Sequence, residues 1–224
     1  MKLRKIYKYQ MPNNLMQTQS FMRFLSDNKI AVFSLGDTAK ILRKPRPYAS
    51  LFIRRCMAKG LVSRVENGLY YRSRGSNEYM VASGIVSPSY ISMISALAYY
   101  GLTTQIPNVV YVVTTKKHRP VKIMGFTIVF RTIDKRMMFG YHKESYGNIS
   151  IADPEKAVVD IFYFNDVNDL DEDALEPPPR IDPDKLAAYA AQTGRGSVKK
   201  RVADLLNENG YHRQARTLTK QVGR

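Results

Sequence analysis

In the first third of the chain, apolar residues recur every three or four positions, which is the spacing of amphipathic helices. One helix is predicted from Leu15 to Leu25, behind an N-cap signal at residues 13–14, and Asp27 closes it. Residues 30–33 (IAVF) then form a short extended run. The first predicted element is therefore a helix that leads into a strand-like segment.

Two further helices are predicted before the chain changes character. The first begins at Ser34, which is followed three residues later by Asp37 as in a capping box, and it ends at Leu42. The second is predicted from Pro47 to Lys59, since proline suits a first helical position and Gly60 supplies a C-terminal stop. Three short helices in this order favour a helix-turn-helix.

A β-hairpin is predicted directly after the third helix. The β-prone runs 61–65 (LVSRV) and 69–72 (LYYR) flank Asn67-Gly68, a strong hairpin signal because both turn residues of a type I′ turn must accept positive φ. Helices followed by such a hairpin predict a winged helix-turn-helix, in which the hairpin is the wing.

The second part of the chain mixes helical and strand patterns. An apolar helix rich in small residues is predicted over 91–97, ending before Gly101. Another helix is predicted to begin with Asp153 as its cap and Pro154 as its first residue. A docked helix with one apolar stripe is predicted after Ser197. Strands are predicted over 109–114, 121–124 and 126–133.

These elements predict an α+β protein with two domains. A winged helix-turn-helix is expected over residues 1–80, and a mixed α/β domain with a small sheet and C-terminal helices over 81–224. Within the second domain, residues 164–184 are acidic and contain three consecutive prolines, so we expect a loop there.

Charge separates the two predicted domains. The chain carries a formal net charge of +16, and residues 1–80 hold 16 Lys and Arg against 4 Asp and Glu. The remainder holds 19 against 15, which is close to balance. A basic module joined to a nearly neutral one is typical of a protein whose first domain binds a phosphate backbone.

Helical geometry divides the third helix into two faces. Ala49, Ile53, Cys56 and Met57 fall on one side, which we expect to pack, and the opposite side is basic. A helix of this size fits the DNA major groove, where Arg can bond guanine and Leu can touch a thymine methyl. Including the flanking turn and the hairpin, the predicted DNA-binding residues are Lys40, Arg43, Lys44, Arg46, Tyr48, Ser50, Leu51, Arg54, Arg55, Lys59, Arg64, Asn67, Arg72 and Arg74.

No pattern for catalysis, a cofactor or a metal site emerges, so we expect a DNA-binding protein that is not an enzyme. His118, His142 and His212 lack metal-ligand spacing, and residues 166–171 lack the ligands and glycine of a calcium loop. Cys56 is the single cysteine, which excludes an intrachain disulfide, favours the cytoplasm and suggests a small buried thiol of low reactivity.

Three segments resemble the AbiEi family, which comprises antitoxins and transcriptional regulators of abortive-infection systems. Residues 57–65 (MAKGLVSRV) with 68–70 (GLY) resemble its winged-helix element. Residues 88–92 (PSYIS) with 96–97, and residues 151–157 (IADPEKA) with Asp160, resemble two segments of its second domain in the same order.

That resemblance implies a repressor that binds operator repeats ahead of its own operon and counters a nucleotidyltransferase-like toxin encoded beside it. It also implies a monomer or weak dimer that loads cooperatively on double-stranded DNA, with no membrane partner. Direct contact with the toxin stays open at this stage.

Two other functions stay open as well. The basic domain could hold a structured RNA, with Tyr48 and Tyr71 as outward stacking residues, or the second domain could bind a protein while the winged helix serves as a scaffold. The short basic runs 116–119 and 135–136 are interpreted as solvated turns. The alternative is that they extend the DNA footprint or face an acidic partner.

Overall fold

The computed structural model describes residues 18–103, 108–144, 146, 148–165 and 181–220. The N-cap predicted at residues 13–14 and most of the loop predicted over 164–184 lie outside these ranges. Within them the fold is α+β, with helices and two sheets. No helix of the described ranges combines the length and the apolar character that crossing a membrane requires.

The N-terminal helices lie close to their predicted positions. They are α1 (Thr18–Asp27), α2 (Leu35–Leu42) and α3 (Arg46–Ala58). The capping box of α2 is confirmed: Ser34 Oγ accepts from the Asp37 N–H at 3.0 Å, and the Asp37 carboxylate accepts from the Ser34 N–H at 3.0 Å. Helix α3 begins one residue earlier than predicted. Gly60, just after the C-cap residue Lys59, has a φ of +66° and ends the helix as predicted.

The predicted hairpin forms two strands of a three-stranded antiparallel sheet. Its strands are β1 (Val32–Ser34), β2 (Val62–Glu66) and β3 (Leu69–Arg72), in the order β1-β3-β2. Of the two turn residues only Gly68 has positive φ, so the predicted type I′ turn, with positive φ at Asn67 too, is wrong. A shift in register between Arg64 and Glu66 accommodates this turn, because the bulge absorbs one residue.

The two faces of this sheet serve two different hydrophobic cores. Phe33, Val62 and Tyr70 pack into a first core with helices α1 to α3. Their neighbours along the strands, Val32 and Tyr71, pack against a second core formed by the rest of the chain. Because successive strand residues point to opposite faces, the sheet lies between the two cores.

A six-stranded mixed sheet organises the second core. Its order is β6-β7-β5-β4-β9-β8, with β4 antiparallel to β5 and parallel to β9. The strands predicted over 109–114, 121–124 and 126–133 are confirmed as β5, β6 and β7 with small shifts. The strands are β4 (Ser89–Ile91), β5 (Val109–Thr114), β6 (Val121–Ile123), β7 (Phe126–Thr132), β8 (Tyr141–Glu144) and β9 (Ile149–Ala152).

The helix predicted over 91–97 is wrong at its start. Ile91 belongs to β4, Ser92 is the N-cap, and the helix α5 runs Met93–Tyr99. Ile91 is fully buried between β5 and β9, and a short apolar run of this kind does not by itself distinguish a buried strand from a helix.

Helices cover the six-stranded sheet. Helix α4 (Glu78–Ile85) packs on β1, β4, β5 and β9 and so joins the two sheets. The C-terminal helices are α6 (Pro154–Phe164), α7 (Pro183–Gln192), α8 (Gly196–Glu208) and α9 (His212–Thr219), and they pack on one another. The apolar stripe predicted after Ser197 is confirmed by the burial of Val198, Val202 and Leu206 in α8.

Candidate nucleic-acid interface

Helix α3 is anchored by a broader apolar face than its sequence pattern indicated. Ala49, Ile53 and Cys56 are buried as predicted, and Phe52 is buried beside them. The Phe52 ring meets the Phe21 ring edge-on, with centroids 5.2 Å apart. This contact fixes α3 against α1 and leaves the remaining side of the helix for solvent.

The solvent side of α3 carries cations and one apolar side chain. Arg54, Arg55 and Lys59 are exposed, and Leu51 is 42% exposed although it is a large apolar residue. At the start of the helix Arg46 is exposed, while Tyr48 and Ser50 are half-buried. The structure therefore brings the α3 residues of the predicted set onto one accessible face.

The turn between α2 and α3 adds further cations next to this face. Arg43 adopts a left-handed conformation at the end of α2, with φ 52°, and both Arg43 and Lys44 are exposed. The Lys44 ammonium lies 6.0 Å from the centre of the Tyr48 ring, so the turn is positioned against the first turn of α3. Lys40, at the end of α2, is exposed as well.

The hairpin contributes three of the four residues predicted for it. Arg64, Asn67 and Arg74 are exposed, and the Arg64 guanidinium lies 5.9 Å from the centre of the Tyr70 ring. These three residues lie on β2, in the turn and just beyond β3. They give the hairpin two accessible guanidiniums and an amide.

Arg72 was predicted to contact DNA, and its burial contradicts this. Its side chain is only 7% exposed, and its Nη2 donates to the Gly75 carbonyl at 3.0 Å. Burial lowers the pKa of the guanidinium, because the charged form is less stable away from water. Tyr71, predicted as an outward stacking residue, is also buried, because it packs into the second core.

Both carboxylates between Leu35 and Arg74 are engaged by neighbouring groups. Asp37 accepts the hydrogen bonds of the α2 capping box. Glu66 Oε1 lies 3.4 Å from His118 Nε2. The exposed charges of this surface are therefore cationic, and we name Lys40, Arg43, Lys44, Arg46, Tyr48, Ser50, Leu51, Arg54, Arg55, Lys59, Arg64, Asn67 and Arg74 the basic face.

A second charged cluster lies away from this surface, where β8 meets α6 and α7. Asp153 is the N-cap residue of α6 as predicted, but its side chain does not cap the helix. Its carboxylate contacts His142 Nδ1 at 2.8 Å, the Lys185 ammonium at 3.0 Å and the Tyr189 hydroxyl at 2.9 Å. These contacts bind β8 and α7 to the start of α6.

The pKa values of this cluster follow from its pairing. Burial acts to lower the pKa of His142, but the hydrogen bonds of its ring to the Asp153 and Glu144 carboxylates outweigh burial, and the pKa is raised. Burial acts to raise the pKa of Asp153, but Lys185, His142 and Tyr189 outweigh it and the pKa is lowered. The cluster is therefore a set of mutually satisfied ion pairs, which is what a structural junction requires.

The described residues hold no grouping of His, Cys, Asp and Glu side chains suited to a metal ion. Cys56 is fully buried on α3. Burial raises the pKa of its thiol, against smaller opposing effects from Lys59 and Thr18. A buried thiol with a raised pKa is a poor nucleophile, so Cys56 acts as a small packing residue.

No protein-family model matches the chain, and no curated protein matches it. Among solved structures, the crystal structure of the RV2827C protein from Mycobacterium tuberculosis superimposes with a TM-score of 0.55 at 13% sequence identity. The superposition covers 90% of this chain and 80% of that chain. At this level of identity the likeness concerns the fold, and the chain shares its overall architecture with that protein.

Proposed function

We propose that the N-terminal part of the chain is a winged helix-turn-helix that binds double-stranded DNA in a sequence-specific manner. The order α1-β1-α2-α3-β2-β3, with β1 closing the sheet, supports this proposal. The observation that carries it is the basic face. Its cations lie on the exposed side of α3, in the adjoining turn and on the hairpin, and both carboxylates between Leu35 and Arg74 contact neighbouring groups.

In this proposal α3 enters the major groove and reads base edges. Arg55 is suited to a bidentate bond with guanine O6 and N7, and Leu51 to contact with a thymine methyl group. Arg46 and Ser50 lie in the first turns of α3, the part of a recognition helix that comes closest to the bases. The exposure of Leu51 among arginines fits this proposal, because the thymine methyl is the apolar group that the major groove presents.

The flanking cations position the protein without reading sequence. Lys44 in the α2–α3 turn, and Arg64 and Arg74 on the hairpin, are exposed and suited to phosphate oxygens. Asn67 at the hairpin turn is exposed, and in this proposal it contacts the neighbouring minor groove.

We propose further that the protein represses its own operon and acts as an antitoxin to a nucleotidyltransferase-like toxin. This part rests on the resemblance of residues 57–70, 88–97 and 151–160 to the AbiEi family. The second and third of these segments meet in the interior, where the Tyr90 and Ser92 hydroxyls donate to the Asp160 carboxylate at 3.0 and 2.7 Å. Tyr90, Ser92 and Asp160 are fully buried, so these three side chains cannot contact a toxin directly.

The test of DNA binding is titration of the protein with a duplex from the region upstream of its gene and with a scrambled duplex of the same composition. The proposal expects tighter binding to the upstream duplex by about 4 kcal/mol or more. Equal affinity for the two duplexes contradicts it. Co-expression with a neighbouring nucleotidyltransferase tests the antitoxin part, which requires that growth arrest by the toxin alone is relieved.

RNA binding has less support than DNA binding. Of the two tyrosines predicted to stack on bases, Tyr71 is buried and Tyr48 is half-buried against Lys44. Sequence-specific RNA recognition relies on accessible aromatic side chains. Competition between the upstream duplex and tRNA separates the two functions.

A further inference from the structure

The carboxylate of the hairpin is held by a residue from the second part of the chain. Glu66 lies one residue before the Asn67-Gly68 turn and is the one acidic residue between Val62 and Arg72. Its Oε1 lies 3.4 Å from His118 Nε2, and the two side chains are only 27% and 18% exposed. A partly buried contact of this kind ties the tip of the hairpin to the loop that contains His118.

That loop spans residues 115–120, between β5 and β6, and we call it the β5–β6 loop. Local hydrogen bonds and a contact with the Phe130 ring define the conformation of this loop. His118 Nδ1 lies 2.7 Å from the Arg119 carbonyl oxygen, and the His118 ring lies 4.4 Å from the Phe130 ring. At the start of the loop, the Lys116 N–H donates to Thr114 Oγ1 at 3.3 Å.

Contact between the edge strands of the two sheets also brings the loop beside the hairpin. Strand β2 is the edge of the three-stranded sheet, β6 is the edge of the six-stranded sheet, and the two edges lie against each other. Val65 of β2 packs on the second core. The hairpin is therefore fixed beside the β5–β6 loop, since one edge strand covers the other.

The remaining side chains of this loop form an exposed cationic group. Lys116, Lys117 and Arg119 are all exposed, while His118 between them is turned inward onto Glu66 and Phe130. Adjacent Cα atoms are about 3.8 Å apart, so Lys117 and Arg119 lie within a few ångströms of the His118 backbone. Anchoring one residue of a basic run thus places its charged neighbours at the wing.

We propose that the β5–β6 loop is a second DNA-contacting element, whose Lys116, Lys117 and Arg119 bind phosphates alongside the wing. This inference rests on the proposed DNA-binding function and extends its footprint beyond the first eighty or so residues. The same histidine contact that anchors the loop engages the wing's carboxylate. The exposed charged side chains of the hairpin and the loop are all cationic: Arg64, Arg74, Lys116, Lys117 and Arg119.

Phosphate contacts are measurable one by one through their salt dependence. Each phosphate that a cation neutralises releases condensed counterions, and the slope of log K against log salt changes by about 0.9 per contact. The effect is independent of base sequence, so a mixed-sequence duplex of about 40 base pairs serves as the probe. Removing two contacting lysines should reduce the magnitude of the slope by about two units.

The experiment compares the full-length protein with K116A/K117A by fluorescence anisotropy over a series of KCl concentrations. The matched control is K200A/R201A, which removes the same charge from exposed positions on α8, a helix that packs on α6, α7 and α9. We expect the slope to fall by about two units in K116A/K117A and to stay unchanged in the control. K116R/K117R retains the charges and should retain the slope.

The outcomes separate this inference from the function on which it rests. If the wild type binds the duplex and K116A/K117A leaves the slope unchanged, the loop does not contact DNA, although the proposed function stands. Equal falls in both double variants indicate an effect of net charge and also overturn the inference. A wild type that does not bind the duplex overturns both.

Discussion

At the scale of single residues, the interior of the second core contains a pair of opposite charges. Lys156 and Asp160 are fully buried one turn apart on α6 and form an ion pair. The Lys156 ammonium lies 4.6 Å from the centre of the Phe139 ring, and the hydroxyls of Tyr90 and Ser92 complete the shell of Asp160. Every charge is thus compensated, as burial in a low-dielectric interior requires.

Lys156→Met tests the importance of that compensation. It leaves Asp160 buried without its cation, and we expect a loss of about 3–5 kcal/mol in the free energy of unfolding. The measurement is urea denaturation followed by circular dichroism. The double variant K156M/D160L removes both charges and should recover part of the loss; it leaves the buried Tyr90 and Ser92 hydroxyls without their acceptor. A single variant as stable as the wild type contradicts this account of the pair.

His142 predicts a pH dependence at the β8–α6–α7 junction. Its pKa is raised above the ordinary 6.5, so the protonated ring is favoured in the folded state. The resulting stability is fully present below pH 6.5 and is lost as the pH rises through the raised pKa. The facing groups are Asp153, Glu144 and, beyond Asp153, Lys185. Asp153, whose pKa is lowered, stays ionised throughout this range.

His142→Gln measures this contribution. The wild type should be more stable than the variant, and this difference in unfolding free energy should be larger at about pH 5.5 than at about pH 8.5 by about 0.2–1 kcal/mol. The effect is modest because the site is half-exposed to solvent. His212→Gln is the control, because that ring contacts the Asn207 amide instead of a carboxylate. A difference that is constant with pH, or larger at high pH, is inconsistent with the pairing described.

The basic face shows what sequence could predict about single residues. Helical periodicity separated Arg55 from Ile53 correctly, since the two faces of a helix are a local property. The hairpin pattern failed for Arg72, because the burial of that strand residue depends on what covers the sheet. Tyr70 and Tyr71 point to opposite faces of the sheet and pack into different cores, whereas a hairpin pattern alone predicts that one face is exposed to solvent.

At the scale of elements, α4 joins the two sheets through a close approach at Gly84. A Cβ built on Gly84 lies 2.7 Å from Val32 Cβ and 2.8 Å from its Cγ2. The absence of a side chain therefore lets the helix touch β1. Contacts this short force the neighbouring atoms to move, and Val32 Cβ is fixed to its backbone.

Gly84→Ala should destabilise the protein although alanine is the better helix former. Overpacking costs about 1–3 kcal/mol, and the gain in helix propensity returns at most about 1 kcal/mol. Gly36→Ala is the matched control, since a Cβ there meets Ser34 Oγ at 3.5 Å and leaves the helix α2 unstrained. Thermal melts should show the first variant below the wild type and the second at or above it. The reverse order contradicts the close approach.

Elements whose signals are local were predicted well, and those defined by distant partners were not. The capping box at Ser34, the glycine after α3 and the position of the hairpin turn at Asn67-Gly68, although not its type, follow from signals within a few residues. Strand β4 was missed, because its pairing with β5 and β9 joins residues far apart in sequence. Helix α7 was missed because the loop predicted over 164–184 covered its start, although Asp182 caps it and Pro183 is its first residue, as Asp153 and Pro154 are for α6. Helices α4 and α9 were not predicted either.

At the scale of the whole molecule, the three-stranded sheet is shared between the two parts of the chain. One of its faces completes the first core, and the other packs with α4 on the second core. The charge asymmetry of the sequence predicts that the first part of the chain is the one that binds a polyanion. It could not predict that the β5–β6 loop lies beside the wing, because that placement depends on the contact of β2 with β6.

The central claim is that the exposed side of α3 distinguishes DNA sequences. The measurement that tests it most directly is the ratio of affinities for the upstream and scrambled duplexes in the wild type, Arg55→Ala and Lys44→Ala. Arg55→Ala should reduce the discrimination by about 1–3 kcal/mol. Lys44→Ala should weaken binding to both duplexes alike, so the ratio of affinities is preserved. The slope of log K against log salt should fall in magnitude by about one unit. An unchanged ratio in Arg55→Ala, or a wild type with no preference, would contradict the account.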